Sequence, residues 1–243
     1  MTAATQTVAE IALEQPMAIS VFEGYGIEYC CGGRMPLTEA CELKDIAVEK
    51  VIAALEAVPS QSVAGTRDWV KETLADLTDH IVAKHHAYCK SELVLLSGLA
   101  VKVTKRHGGR DPELSIIQAK LAQLAEKLTE HLADEEVYVF PMIAKLERDK
   151  TTNCAASCES QAIANETLTR LRQDHDGAGA LMAEIRSLSR NFNPPGYACA
   201  TFCAFYEGLR EFEQDLHRHV HLENNILFPG ALALERQRDG VGE

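Results

Sequence analysis

Beyond about residue 68 the apolar residues recur at helical spacing in four long runs, and the two-residue alternation of a half-buried strand is nowhere sustained. The first run extends from about Asp68 to Arg106 and stops at Gly108-Gly109. Asp111-Pro112-Glu113 then offers an N-cap, a proline suited to the first helical position and an early acid, opening a second helix that reaches about Lys150. A third helix is predicted from about Gln161 to Arg190. A fourth follows the Asn193-Pro194-Pro195-Gly196 break, from about Tyr197 to Ala233. Four long helices with short connections predict an all-α fold, an up-down-up-down four-helix bundle over residues 68–236.

The pattern before residue 58 is shorter in period and more interrupted. Helices are expected from Thr7 to Glu14 and from Pro16 to Glu23, broken by Pro16 and by Gly24 and Gly26. A tight Cys30-Cys31-Gly32-Gly33 turn follows, then two more short helices ending near Val58. Residues 1–58 thus read as a small helical domain, and residues 59–67, rich in Pro, Ser and Gly, as a linker.

Charge and composition narrow the function. A formal charge of −12 argues against non-specific binding to nucleic acid or anionic membranes, which requires clustered Lys and Arg. No apolar run approaches the roughly 20 residues that span a bilayer. Met1 to Thr7 carries neither a basic segment nor an apolar one, so a cytoplasmic location is expected, with the eight cysteines as reduced thiols or redox groups.

The candidate chemistry lies in a duplicated frame. His131-x-x-x-Glu135 and His219-x-x-x-Glu223 are 88 residues apart, each followed by Phe-Pro at Phe140-Pro141 and Phe228-Pro229. A His and a Glu four apart on a helix share one face, so each copy presents a nitrogen and a carboxylate to one point. His86 precedes His131 by 45 residues and His175 precedes His219 by 44, which makes the bundle read as two related helical hairpins. Each candidate also falls on the apolar stripe of its helix. His131 continues Leu121, Leu124 and Leu128; His175 lies between Leu171 and Ala178; His219 lies among Phe212, Leu216 and Leu222; His86 shares a face with Val82, Cys89 and Leu93. His85 is expected about 100° away from that face. His217 and His221 fall with Glu213, Asn224 and Asn225 on a more polar face, and they, His80 and His107 are expected to meet solvent or to support the ligands from behind.

A single histidine on an apolar stripe is more often an ordinary core residue. Four of them with two carboxylates are not, because burying Glu135 and Glu223 without a cation would cost several kcal/mol each. Four imidazoles and two carboxylates, each able to bridge, suit a non-haem di-iron centre with space for an oxo or hydroxo bridge, and di-manganese second. They do not suit a closed zinc site or an all-oxygen calcium or magnesium site. The small residues Gly177-Ala178-Gly179 beside His175 leave room for a diatomic ligand or for close helix packing.

Seven of the eight thiols fall into three groups. Cys30 and Cys31, in a glycine-rich turn, are candidates for thiol, redox or iron-transfer chemistry, with partial exposure and backbone NH groups favouring thiolate. As neighbours they are poorly placed to chelate one ion together, although each could bind a metal with outside partners. Cys154 and Cys158 form a C-x-x-x-C with no assigned role. Cys89, Cys199 and Cys203 are expected to fill helix packing.

Gly24-Tyr25-Gly26-Ile27-Glu28-Tyr29-Cys30-Cys31-Gly32-Gly33 resembles the signature of the ScdA-type N-terminal domain. The bundle, including Leu222-Glu223-Asn224-Asn225 and the following Phe-Pro, resembles a hemerythrin-like domain. Together they resemble the RIC (repair of iron centres) family over nearly the whole chain. The resemblance implies a cytoplasmic di-iron protein, two irons per chain, that helps restore iron-sulfur clusters damaged by nitrosative or oxidative stress. It places the ligands on His86, His131, His175 and His219, with Glu135 and Glu223 as bridges. Oxygen-carrying hemerythrins use five histidines, a departure that argues against reversible oxygen carriage here.

Three roles follow as alternatives. The protein supplies iron to damaged iron-sulfur proteins with the help of Cys30 and Cys31; or it is an enzyme that reduces nitric oxide to nitrous oxide; or it buffers or senses nitric oxide or dioxygen. The vicinal thiols favour the first two. The thiol turn is also compatible with a homodimer.

Overall fold

The computed structural model describes residues 5–58, 68–151 and 165–239. The expected linker, Cys154, Cys158 and the expected start of the third long helix at Gln161 lie outside the described residues. Among those described, the chain is helical and no strand forms; a lone bridge pairs Thr7 with Pro36. No described helix is long and apolar enough to cross a membrane. The described residues fall into two compact units, one comprising those up to Leu77 with those from His217 onward, the other those from Thr78 to Leu216.

In the first unit four short helices enclose a small core: α1 (Val8–Glu14), α2 (Ala18–Tyr25), α3 (Leu37–Glu42) and α4 (Val48–Ala57). Thr7 caps α1 through a reciprocal box, its hydroxyl accepting from Glu10 N at 3.2 Å while the Glu10 carboxylate accepts from Thr7 N at 2.9 Å. Gly26, at φ +66°, ends α2 in the left-handed conformation that glycine adopts without penalty. Val8, Ile11, Phe22, Tyr29, Leu37, Val51 and Leu55 meet in the core. The thiol turn is stitched to α1 by Ala9 N to Gly33 O at 2.7 Å and Val8 N to Met35 O at 3.1 Å. Gly33 is required there, since a Cβ would run into the Tyr29 carbonyl.

The long helices are α5 (Leu74–His80) continued through α6 (Ala87–His107), α7 (Glu113–Asp134) through α8 (Phe140–Thr151), α9 (Asn165–Leu188), and α10 (Ala200–Leu222) through α11 (Phe228–Asp239). Three of the four runs carry a π-helical stretch: π1 (Ile81–His86), π2 (Glu135–Val139) and π3 (Glu223–Leu227). Sequence periodicity gave no sign of these. α9 ends where Arg190, Asn191 and Phe192 all take φ between 55° and 57°. That costs about 1–2 kcal/mol per residue. Burial of the Phe192 ring, a hydrogen bond from its backbone N–H to Ser189 Oγ and one from Arg210 to its carbonyl hold the turn.

Contacts within the second unit run antiparallel around a ring of four helices. Thr104 meets Leu114 while Lys90 meets Glu136; Lys120 pairs with Glu184 while His131 meets His175; Arg186 pairs with Glu213; and His107 meets Phe202 while His85 meets Asp215. This is the expected up-down-up-down bundle. Its core is built from the apolar stripes, with Leu96, Ile117, Leu124, Leu171, Ile185 and Phe205 almost entirely buried.

Candidate metal centre

In the second unit three imidazoles converge on one carboxylate. Glu135, the first residue of π2, has no exposed surface. Its Oε1 lies 3.2 Å from Nε2 of His131, one turn earlier, and 4.0 Å from Nε2 of His175 on α9. Its Oε2 lies 3.5 Å from Nε2 of His86, the last residue of π1. One oxygen therefore faces one histidine and the other faces two, the arrangement needed for a carboxylate to bridge two cations. The His131 and His175 Nε2 atoms are 2.9 Å apart with their rings at 71°. Two bonds of about 2.1 Å meeting at about 90° would place their donors about 3.0 Å apart. The donors thus fit a transition-metal ion, and the described residues include buried His/Glu clusters able to hold one.

Two of the π-turns adjoin the ligand-type residues, π1 ending at His86 and π2 opening at Glu135. Such a turn inserts a residue into the helix, so the faces before and after it are offset by about 100°. Glu135 follows His131 by one ordinary turn and shares its face, and the offset falls on the residues after it. His85, expected to face away from His86, is nevertheless buried, and its Nδ1 lies 3.0 Å from Asp215.

The His86 ring is held from behind, and the His131 ring has a carboxylate nearby. Nδ1 of His86 lies 2.8 Å from Glu136, whose carboxylate accepts from Lys90 Nζ at 2.7 and 2.8 Å. Donation from Nδ1 leaves the Nε2 lone pair aimed at the site. Burial pushes the Glu136 carboxyl up, but Lys90 and His86 outweigh it and hold the group below the usual range. Nδ1 of His131 lies 3.6 Å from Asp174, and Arg170 braces Asp174 and Asp134. Gly177 and Gly179 face open space, so neither is demanded by close packing.

In the first unit the second His-x-x-x-Glu copy is formed as a pair. His219 Nε2 and Glu223 Oε1 are 2.9 Å apart and both residues are buried, Glu223 again opening a π-turn. The thiol turn docks on this same stretch. Asn225 Nδ2 donates to Tyr29 O at 3.1 Å, and Asn224 Nδ2 approaches Cys31 Sγ at 3.9 Å. Tyr29 Oη donates to Glu23 at 3.0 Å, and Arg218 pairs with the same carboxylate at 2.8 Å. His221 is not on a solvated face: it is buried with its ring 5.5 Å from that of Tyr29, and burial pushes its pKa down to about 4.

Two expectations about thiols are corrected. Cys30 is buried rather than partly exposed, and its thiol is pushed well up by its hydrogen bond with Cys31, by burial and by the nearby Cys31 and Glu28, so the turn does not favour thiolate there. Cys31 is partly exposed. Cys89 fills the core as expected, but Cys199 and Cys203 are exposed. Cys199 Sγ lies 3.3 Å from His107 Nε2, and this partner, with backbone NH groups at the start of α10, lowers its pKa to about 7.

Sequence reasoning missed Glu136, Asp174, Asn224 and Asn225. Glu136 left a readable trace, since it follows the ligand-type Glu135 while Lys90 lies one helical turn beyond His86.

Comparison with known proteins places this geometry in a family. Residues 4–59 match ScdA_N, a domain of unknown function (DUF542), and residues 77–231 match the hemerythrin HHE cation binding domain. The iron-sulfur cluster repair protein YtfE of Escherichia coli is 35% identical over 230 residues, 95% of this chain and 98% of the relative. A probable iron-sulfur cluster repair protein of Haemophilus influenzae is 34% identical over 235 residues, 96% of this chain and 99% of the relative. YtfE of Shigella boydii is 34% identical over 230 residues, 95% and 98% of the two chains. With both domains matched in order and relatives aligned over nearly their whole length, the chain belongs to the hemerythrin HHE cation-binding family, in the RIC branch that carries an ScdA-type N-terminal domain.

Proposed function

We propose that the protein is a cytoplasmic repair factor for iron-sulfur proteins damaged by nitrosative or oxidative stress, built around two irons held by His86, His131, Glu135, His175, His219 and Glu223. The observation that carries the reading is Glu135, whose two oxygens face different imidazoles inside a sealed core. His219 and Glu223 complete the set as the duplicate of His131 and Glu135; the match of residues 77–231 to one cation-binding domain supports counting both copies in one centre. Iron is the first choice and manganese the second, on the nitrogen and carboxylate donors. The names of the relatives support repair as the role.

Bound there, the pair supplies ferrous iron for transfer and a place where nitric oxide or dioxygen can bind. The chain's own contribution is to bring three imidazoles to Glu135, with His86 oriented by Glu136, to exclude water from Glu135, and to keep the Cys30-Cys31 turn fixed on the helix that bears His219 and Glu223. A plain gas buffer has no use for that docked thiol turn. The test is anaerobic recovery of an iron-sulfur enzyme damaged by nitric oxide, with the His219→Ala protein and an equal amount of free ferrous iron as controls. Recovery beyond both controls is expected. Equal recovery in all three, with nitrous oxide evolved by the native protein alone, would instead assign nitric oxide reduction.

A further inference from the structure

Outside the bundle site, one other group of metal-ligand type is drawn together among the described residues. On the first unit Glu28, Cys30 and His217 each offer a donor atom, and the three atoms lie within 4.8 Å of one another. Cys30 Sγ is 3.5 Å from Glu28 Oε2, and Glu28 Oε1 is 3.5 Å from His217 Nε2. In a tetrahedral site with metal–sulfur bonds of about 2.3 Å and metal–nitrogen or metal–oxygen bonds of about 2.1 Å, neighbouring donors are about 3.4–3.6 Å apart. The two contacts are of that length, each to a different oxygen of Glu28, and with one oxygen as donor the three atoms lie within 4.8 Å of one another, so a turn of the carboxylate suffices to seat an ion.

The framework around the three is fixed independently of them. Tyr29, between Glu28 and Cys30, is buried, with its hydroxyl on Glu23 and its carbonyl on Asn225. The His217 ring packs against Tyr29 edge to face at 6.1 Å. A rigid turn on one side and a helix on the other therefore set the donor positions before any ion arrives, which lowers the entropy lost on binding. The burial gradient is also that of a site open at one side. Cys30 is buried, His217 is partly exposed, and the Glu28 side chain is half exposed, leaving a fourth position toward water.

We infer that Glu28, Cys30 and His217 form a mononuclear site for a borderline-soft divalent cation such as zinc or ferrous iron, separate from the two-metal centre of the bundle. Binding exchanges the Cys30 thiol proton for the cation: the S–H bond breaks, a metal–sulfur bond forms, the proton leaves to solvent, and no electron is transferred. Sulfur is the distinguishing donor, because the bundle residues offer only nitrogen and oxygen. The inference stands whether or not the protein supplies iron. If it does, this is a site where an ion in transit would rest, on the helix that bears His219.

Cobalt(II) is the probe, because a thiolate on cobalt gives a near-ultraviolet charge-transfer band that His and carboxylate ligands cannot give. Added anaerobically to the full chain loaded with two irons and cleared of loosely held metal, it is expected to bind at one equivalent with that band. Cys30→Ser should abolish the band, Glu28→Gln and His217→Ala should weaken binding at least tenfold, and Cys199→Ser should leave it intact. The Glu28 side chain is half exposed, so Glu28→Gln keeps the test sound even if Cys30→Ser fails to fold. Absence of the band, its loss in Cys199→Ser, or unchanged affinity in Glu28→Gln would overturn the assignment.

Discussion

The Nε2 atoms of His131 and His175 face each other at 2.9 Å from two different helices. Two neutral imidazoles can meet in this way only as one donor and one acceptor, whereas a single cation can take both lone pairs. Glu135 Oε1, 3.2 Å from the first ring and 4.0 Å from the second, supplies the negative charge such a cation would need.

Removing that charge should empty the site. Glu135→Ala is expected to lower iron from two per chain to one or none and to end any magnetic coupling, while far-ultraviolet circular dichroism stays native. A full, coupled iron complement in the variant would contradict the bridging role.

Glu136 acts one step behind, through His86. Glu136→Gln weakens the acceptor that orients Nδ1, and loss of such a partner lowers metal affinity by about 10–100-fold. Competition with a calibrated chelator should show that drop, with His86→Ala losing more. Affinity equal to the native protein would show that the 2.8 Å contact does not orient the ring.

Much of this was readable in the sequence because both signals are periodic. The heptad-like spacing of Leu121, Leu124 and Leu128 set the helix, and His131 extended the same stripe to the interior. The duplication at 88 residues marked the second copy. The π-turns were not readable, because their wide hydrogen bonding follows from packing and leaves no residue signature. His85 shows a related limit: the 100° period turns it away from the face of His86, and whether that second face is covered, as it is at Asp215, depends on a helix 130 residues later. His221 was misplaced for a different reason. Its neighbours Asn224 and Asn225 look solvated, yet they reach the thiol turn, whose position nearly 200 residues earlier no local pattern could supply.

His85 therefore has a structural part to play with Asp215. His85→Ala should cost roughly 1–3 kcal/mol of stability by leaving a carboxylate without this partner. Its iron content should match the native protein, in contrast with His86→Ala. Equal iron loss from the two would contradict the separation of roles.

Among the described thiols, Cys199 should react first at neutral pH. Its hydrogen bond with His107 lowers the pKa to about 7, and the thiolate is the reactive form, so alkylation by iodoacetamide should speed up with pH and reach half its limiting rate near pH 7. In His107→Ala the midpoint should move up toward the ordinary thiol value. Peptide mapping that found Cys30 modified ahead of Cys199 would contradict the burial and charge assigned to each.

In the proposed centre Glu135 and its partners hold two irons as one coupled unit. Anaerobic iron loading followed by Mössbauer spectroscopy tests it most directly. Two irons per chain whose oxidised form shows a diamagnetic, antiferromagnetically coupled ground state is the predicted result. One iron per chain, or two that remain magnetically independent, would contradict it.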